Sequence, residues 1–573
     1  MKGDKVMEKE AEKVIQFKRE RQSVLERKRE LFFEKLFSLP ETKVLDFILE
    51  QKEAIQLIQQ MPFLDLYWLI KKVGEDDSIP ILRLATEEQW QYILDLEIWK
   101  KDCIDIKKAG IWLKRLMKAD AERFANWLIS EDMELFTYYY LYRTVEIVIA
   151  TNDNIYDLSE EYFTLDGTFY LRLKDESQRE LIETVLKLIA AQDFLKYQAL
   201  LMSSRAILPA STEEELYRLK SVRIAEYGFL PFEEAIAVYA LYPLDKLIRK
   251  EIPSEKGGLE LVRVDEEIKE MVPYFPINQL QKKGPFALAV RHIRDNVLMD
   301  RIRLEFAGLC NQIVSADGLS MLEFEDLLRI CRKAAGYLNV AIEKVCGKDI
   351  SKAVELIKNN SLVFIFRAGF GIALKLKWEV EKWVKRSWFK SYGLDFGFWG
   401  SEWGEIIRGL LMKRPMYYVG VEDGEEFRHF ESLSEIEKSE QIYRKIELLD
   451  NLFAKITSFY PLDKGLLIDP AMTFHPLLFT FWARSVLKLN LGFEGIALDQ
   501  VRELFKILRE EDKQTPYKME KYRERFIKEL SSYLPSPELE KILSSLWDEF
   551  VEEYERVAIK DIDERYLRFF IIQ

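Results

Sequence analysis

The sequence predicts a mainly α-helical protein, with superhelix-like helical repeats at the N-terminal end, helical domains beyond them, and two small β-hairpins. Three observations carry this prediction. The chain of 573 residues holds 24 glycines and 17 prolines, about 7% together against roughly 12% in average usage, so turns are sparse and elements long. Bulky apolar residues recur at helical spacing behind Pro, Thr or Asp. Asp-Gly pairs fall between β-prone runs at two places.

Residues 1–38 read as a charged helical arm. Val14, Phe17, Val24, Leu25, Leu31 and Phe32 give it a thin apolar stripe, which suits either a solvated helix laid on the body or a docking segment. Residues 39–150 read as the repeat domain. Pro40, Pro62, Thr86, Asp120 and Asp132 serve as helix openers, matching N-cap and first-turn chemistry. Val44, Leu66, Trp90, Phe124 and Phe136 stand four positions after them. Bulky residues follow again at seven and eight, so each helix has one apolar face. The spacing between openers is irregular, and either stacked repeats or an ordinary bundle satisfies the pattern.

Residues 151–255 read as a β-hairpin with helices. In Tyr162–Leu173 the pair Asp166-Gly167 separates two aromatic runs, which predicts a tight primed turn. Residues 256–415 read as a helical domain, flanked or interrupted by candidate linkers at 250–284 and at the glycine-rich 391–404. Residues 416–573 open with a second hairpin, Met416–Phe430, turning at Asp423-Gly424. Ser434 and Glu437 then have the spacing of a capping box for the next helix.

Composition narrows the function classes. The 85 Lys and Arg against 98 Asp and Glu leave a net charge of −13, which argues against a general nucleic-acid coat. The most apolar stretches, Ser361–Trp378 and Pro476–Leu489, are broken by Arg367 and Lys375 and by Arg484 and Lys488. They fall short of the ~18–20 apolar residues a spanning helix needs and read as buried core helices. The start has no apolar signal region, and a cytoplasmic location is expected. The cysteines Cys103, Cys310, Cys331 and Cys346 are too few for a disulfide framework and read as mostly buried thiols.

Three stretches carry a resemblance: Leu94–Asp102; Tyr162–Leu173 followed by Arg223–Ala235; and Ile313–Gly318. Their order and spacing resemble an uncharacterised bacterial family, a domain of unknown function covering roughly residues 40 to 573. The resemblance implies a large helical protein and no established activity, so it transfers no catalytic residues. The rhythm of the repeat alone is similar to the cytosolic superhelix of MgtE-type magnesium transporters, from which only the architecture transfers.

Chemistry-bearing groups are thin on the ground. His292, His429 and His475 are widely spread and no paired-ligand spacing occurs, so zinc and triad chemistry lack a basis. Gly369–Lys375 lacks phosphate-loop spacing. Asp317, with Glu323 and Glu325 on the following helix, forms a candidate site for a hard cation, Mg²⁺ or Ca²⁺, beside the simpler reading of an Asp-Gly turn. Trp378, Trp383, Trp388, Trp399 and Trp403 gather within 26 residues among Lys and Arg. That segment, with Glu402 and His429, is either a core face or a surface for a partner or ligand. The leading functional expectation is a cytoplasmic scaffold or adaptor binding another protein, with no catalytic set identified. The alternatives are an enzyme or small-ligand sensor with its site at residues 391–430, and a cation-responsive regulator.

Overall fold

A computed structural model describes residues 31–33, 35–150, 159, 161–249, 272–280, 284–319, 323–422, 424–467, 472–509 and 515–573. Most of the expected arm, most of the 250–284 linker and the Asp423 position of the second turn lie outside these residues. The chain forms two compact units, one of Met1–Leu338 with Val345–Arg367, the other of Asn339–Lys344 with Ala368–Gln573. The expected boundary at 255/256 lies outside the described residues, and 415/416 falls inside the second unit.

In the first unit four of the five openers cap or start a helix. Pro40 precedes Glu41–Leu49, Pro62 precedes Phe63–Val73, and Asp120 accepts from the Arg123 amide at the start of Ala121–Leu128. Thr86 forms a full capping box with Gln89 on Glu87–Glu97. The fifth is displaced by one residue, since Met133 rather than Asp132 stands at the N-cap of Glu134–Thr144. The residues four, seven and eight after the openers are buried except Phe47, which is half-buried. Helices not expected from the pattern, Ala54–Gln59, Ile79–Leu84 and Ile106–Ala119, fill the irregular gaps.

Neighbouring helices are tied by side chains that reach each other's backbone carbonyls. The buried Gln89 amide donates to Ile58 O at 2.8 Å and Met61 O at 3.1 Å. The Trp90 indole donates to Leu82 O at 2.8 Å, with the Arg123 guanidinium 4.0 Å from its ring centroid. Such bonds give carbonyls near helix ends side-chain donors from the next helix.

The first hairpin forms and gains a strand. Phe169–Leu173 pairs antiparallel with Phe163–Thr164 on one side and with Val145–Ile149 on the other. The third strand is the β-branched run Val-Glu-Ile-Val-Ile, directly after a helix, with only Val145 fully buried. The connection is wider than the expected two-residue turn. Asp166 accepts from the amides of Thr168 and Phe169, both at 2.9 Å, while Gly167 takes φ +70°. The acceptor role of Asp166 thus replaces a primed turn.

The second unit contains the other hairpin, Tyr417–Glu422 against Glu425–Arg428, with a bulge between Tyr418 and Glu422. The expected capping box does not form. The helix starts two residues early, at Leu433, with Ser432 at its N-cap. Glu435, not Glu437, turns back to accept from the Glu431 amide at 2.8 Å and to pair with Arg428 at 2.8 Å. A basic partner delivered by the hairpin recruits the nearer carboxylate. The glycine-rich 391–404 is not a linker either. Phe398 and Trp399 are buried there, and a Cβ on Gly404 would lie 2.3 Å from Phe396 O. Those glycines permit close backbone approach instead of slack. The unit's main core is aromatic: Trp482 meets Trp547 edge-on at 5.2 Å, and Phe479 stacks on Phe526 at 4.9 Å and on Phe550 at 5.0 Å.

The fold is therefore mainly α with small antiparallel strand pairs. Among the described residues no helix is long and apolar enough to cross a membrane.

Candidate functional site

The tryptophan-rich segment divides between core and surface. Trp383, Trp388 and Trp399 are buried. One carboxylate anchors the first two: Asp450, 2% exposed, accepts from the Trp388 amide at 3.0 Å, the Phe389 amide at 2.9 Å and the Trp383 indole at 3.3 Å. Trp388 also stacks on Phe453 at 5.0 Å. Trp399 packs against Phe474, and Trp403, half-buried, stacks on the same ring at 5.5 Å. Glu402 is exposed on the first turn of helix Ser401–Leu411, and half-buried His429 follows the second hairpin, its carbonyl accepting from Arg428. Trp378 differs from the rest. It is 46% exposed, on a helix face with the exposed Lys375, Lys382 and Lys385.

Asp317 ends the helix Asn296–Asp317, and Gly318 follows in the left-handed conformation at φ +65°. Its carboxylate accepts from the Tyr239 hydroxyl at 2.7 Å and pairs with the Lys333 ammonium at 2.7 Å. Glu323 and Glu325 are both exposed, and the Glu323 amide donates to Asp326 at 3.2 Å. Among the described residues no group of three or more His, Cys, Asp or Glu is gathered as a metal would require. Asp317 is thus engaged by the Lys333 ammonium and the Tyr239 hydroxyl.

Burial pulls the Lys333 ammonium down to about 7 from an ordinary 10.5. Between those values the unfolded chain holds the proton more firmly than the folded one, so stability rises with pH across that window. Measured by urea unfolding from pH 7 to 10, the stability of wild type relative to Lys333→Met climbs by up to about 1.4 kcal/mol per pH unit. Parallel curves for the two proteins would contradict this.

The surface feature that pattern reading passed over is the helix Phe194–Ala206. One side buries Tyr197, Leu200, Leu201 and Ser204. The other exposes Leu195, Ala199, Met202 and Ala206, at i, i+4, i+7 and i+11, the spacing of a second apolar stripe. Leu195 is 76% and Met202 51% exposed, and Leu208 just beyond is 73% exposed. The exposed Lys196 and Arg205 flank this stripe. The signal was present in the sequence as Phe-Leu-Lys-Tyr-Gln-Ala-Leu-Leu-Met, but an apolar-rich helix reads as core until its neighbours are known.

Together these features define a large, mainly helical protein of two compact units, its polar chemistry spent largely on tying helices together. The chain belongs to a family of unknown function (DUF6178), which it matches over residues 22–573. The resemblance carried by the three quoted stretches is therefore borne out over nearly the whole chain. No curated protein and no solved structure matches it.

Proposed function

We propose that this protein is a cytoplasmic protein-binding scaffold whose principal docking face is the exposed stripe of helix Phe194–Ala206. The stripe is the observation that carries the reading. Leu195, Met202 and Leu208 leave water only when covered, and covering a side chain of this kind is worth about 1.5–3 kcal/mol. From residue 195 to 206 the stripe runs ~16 Å at 1.5 Å per residue, long enough for about three turns of a partner's amphipathic helix. Exposed apolar residues aligned along one helix suit the apolar face of a partner's helix.

The test is a pair of surface substitutions. Leu195→Glu with Met202→Glu leaves the fold intact, since both side chains are exposed, and abolishes a stoichiometric complex purified from the native cell and rebuilt from its pure components. Val297→Glu, 59% exposed on another helix, leaves that complex unchanged. Loss of affinity is at least 100-fold for the double variant, from two buried apolar contacts replaced by charge. A complex equally sensitive to Val297→Glu, or insensitive to the stripe, would refute the docking face.

A further inference from the structure

The exposed face of helix Leu362–Val384 is chemically unlike the stripe of Phe194–Ala206. Lys375, Trp378, Lys382 and Lys385 stand at i, i+3, i+7 and i+10 and are all exposed. They therefore share one narrow line, about 15 Å long at 1.5 Å per residue. Lys385 keeps to that line just past the helix end, its amide donating to Glu381 O at 3.3 Å. The opposite face buries Leu376, Val380 and Trp383 in the second unit, which fixes the direction in which the line points.

Among the described residues, the ammonium groups of Lys375, Lys382 and Lys385 form no ion pair, and the Trp378 ring meets no other ring. The neighbouring carboxylates are committed elsewhere: Glu379 pairs with Arg444 at 2.6 Å and Glu381 with Lys377 at 3.6 Å. Arg386, on the flank, is paired with Glu447 at 3.2 Å and adds nothing to the line. Cations near a helix C-terminus complement its dipole, which accounts for Lys382 and Lys385. The dipole does not account for Lys375, more than two turns before the helix end, nor for an indole that is 46% exposed.

We propose that this line docks the protein on an anionic lipid surface. An indole enters the boundary between head groups and acyl chains, while lysines lay their stems on it and keep their ammonium groups among the anionic heads. Lys375, Trp378, Lys382 and Lys385 supply both parts from one side of one helix. A nucleic-acid strand is the poorer match, because it calls for a ring under each of several bases and the line offers one. Each lysine strengthens attraction to an anionic surface about fivefold. Three of them with one indole give a reversible, salt-sensitive contact that half-saturates at millimolar accessible lipid. The assignment is independent of the docking stripe on Phe194–Ala206.

Vesicle co-sedimentation of the full chain tests it, with an equal mixture of phosphatidylglycerol and phosphatidylcholine and with phosphatidylcholine alone. The protein sediments with the anionic vesicles, stays in solution with the neutral ones, and is released by high salt. Replacing all three lysines together, Lys375→Gln, Lys382→Gln and Lys385→Gln, weakens partitioning about 100-fold, from three steps of about fivefold. Lys506→Gln, exposed on helix Leu498–Leu508, leaves it unchanged. Anionic lipids brominated near the head group quench part of the tryptophan fluorescence, and that part is missing in Trp378→Phe. Equal sedimentation with neutral vesicles, none with anionic ones, a triple variant that partitions like wild type, or quenching that persists in Trp378→Phe would each overturn the proposal. Polyuridylate or polyglutamate bound through the same lysines, by a protein that ignores vesicles, would overturn it in favour of a nucleic acid or an acidic protein.

Discussion

Replacing Asp450 by alanine lowers the unfolding free energy of the second unit by about 3–5 kcal/mol. The carboxylate is 2% exposed and holds two backbone amides and an indole N–H. Alanine leaves all three donors buried and unsatisfied, at about 1–3 kcal/mol for each group. Both amides open the short helix Trp388–Ser391, so its first turn loses its acceptor, and Trp383 and Trp388 lose the anchor that seats them. Asp450→Asn retains one acceptor oxygen but brings two donors into a nest of donors, and loses about half as much. Urea unfolding followed by tryptophan fluorescence separates the three proteins in the order wild type, asparagine, alanine. Alanine and asparagine losing equally would show that packing, and not the acceptor, matters. Burial holds the Asp450 carboxyl above the usual range against the pull of its three donors. In the window between the ordinary and the raised value the folded chain binds the proton more firmly, so wild type gains on Asp450→Asn as pH falls through it.

Asp65→Ala has a comparable effect on the first unit, about 3–5 kcal/mol. Asp65 is fully buried on helix Phe63–Val73 and accepts from the amides of Tyr274 at 2.7 Å and Phe275 at 2.9 Å. Those amides belong to a segment more than 200 residues later in the chain. The junction is completed by rings: Phe275 meets Trp68 at 4.5 Å and Phe37 at 4.4 Å, and Tyr274 stacks on Phe33 at 4.8 Å. Hydrogen exchange reads the loss locally. The amides of Tyr274 and Phe275 lose their protection in Asp65→Ala under conditions where those of helix Pro537–Tyr554, in the other unit, keep theirs. Retained protection at 274 and 275 would mean that the rings alone hold the junction.

Both residues follow one pattern, a buried carboxylate on one helix capping the start of a distant one. Glu305 accepts from the Leu362 amide at 2.8 Å and Glu343 from the Leu433 amide at 2.7 Å in the same way. A carboxylate at a helix start satisfies orphan donors and meets the positive end of the dipole. Local sequence carries no trace of such pairings, because the acceptor and its donors are separated by 57 to 210 residues. What local sequence does carry is visible at Pro62, Thr86 and Asp120, where cap and apolar face lie within eight residues of each other. The same contrast accounts for the tryptophans. Lys and Arg between rings describe a solvated helix flank and a binding face equally well, and only Asp450, more than 60 residues away from Trp383 and Trp388, decides for the core. Ser434 and Glu437 mislead for a related reason, since the capping role passes to Glu435 once the hairpin presents Arg428. The stripe on Phe194–Ala206 stayed hidden because apolarity alone does not say which side of a helix meets water.

The scaffold reading stands on that stripe, and a photo-crosslinking residue placed at Met202 tests it most directly. In the native cell, the reading predicts one dominant crosslinked partner at 202, lost when Leu195→Glu is added and absent when the crosslinker is moved to Val297. Equal crosslinking at 202 and 297, or a crosslink at 202 that survives Leu195→Glu, would contradict it.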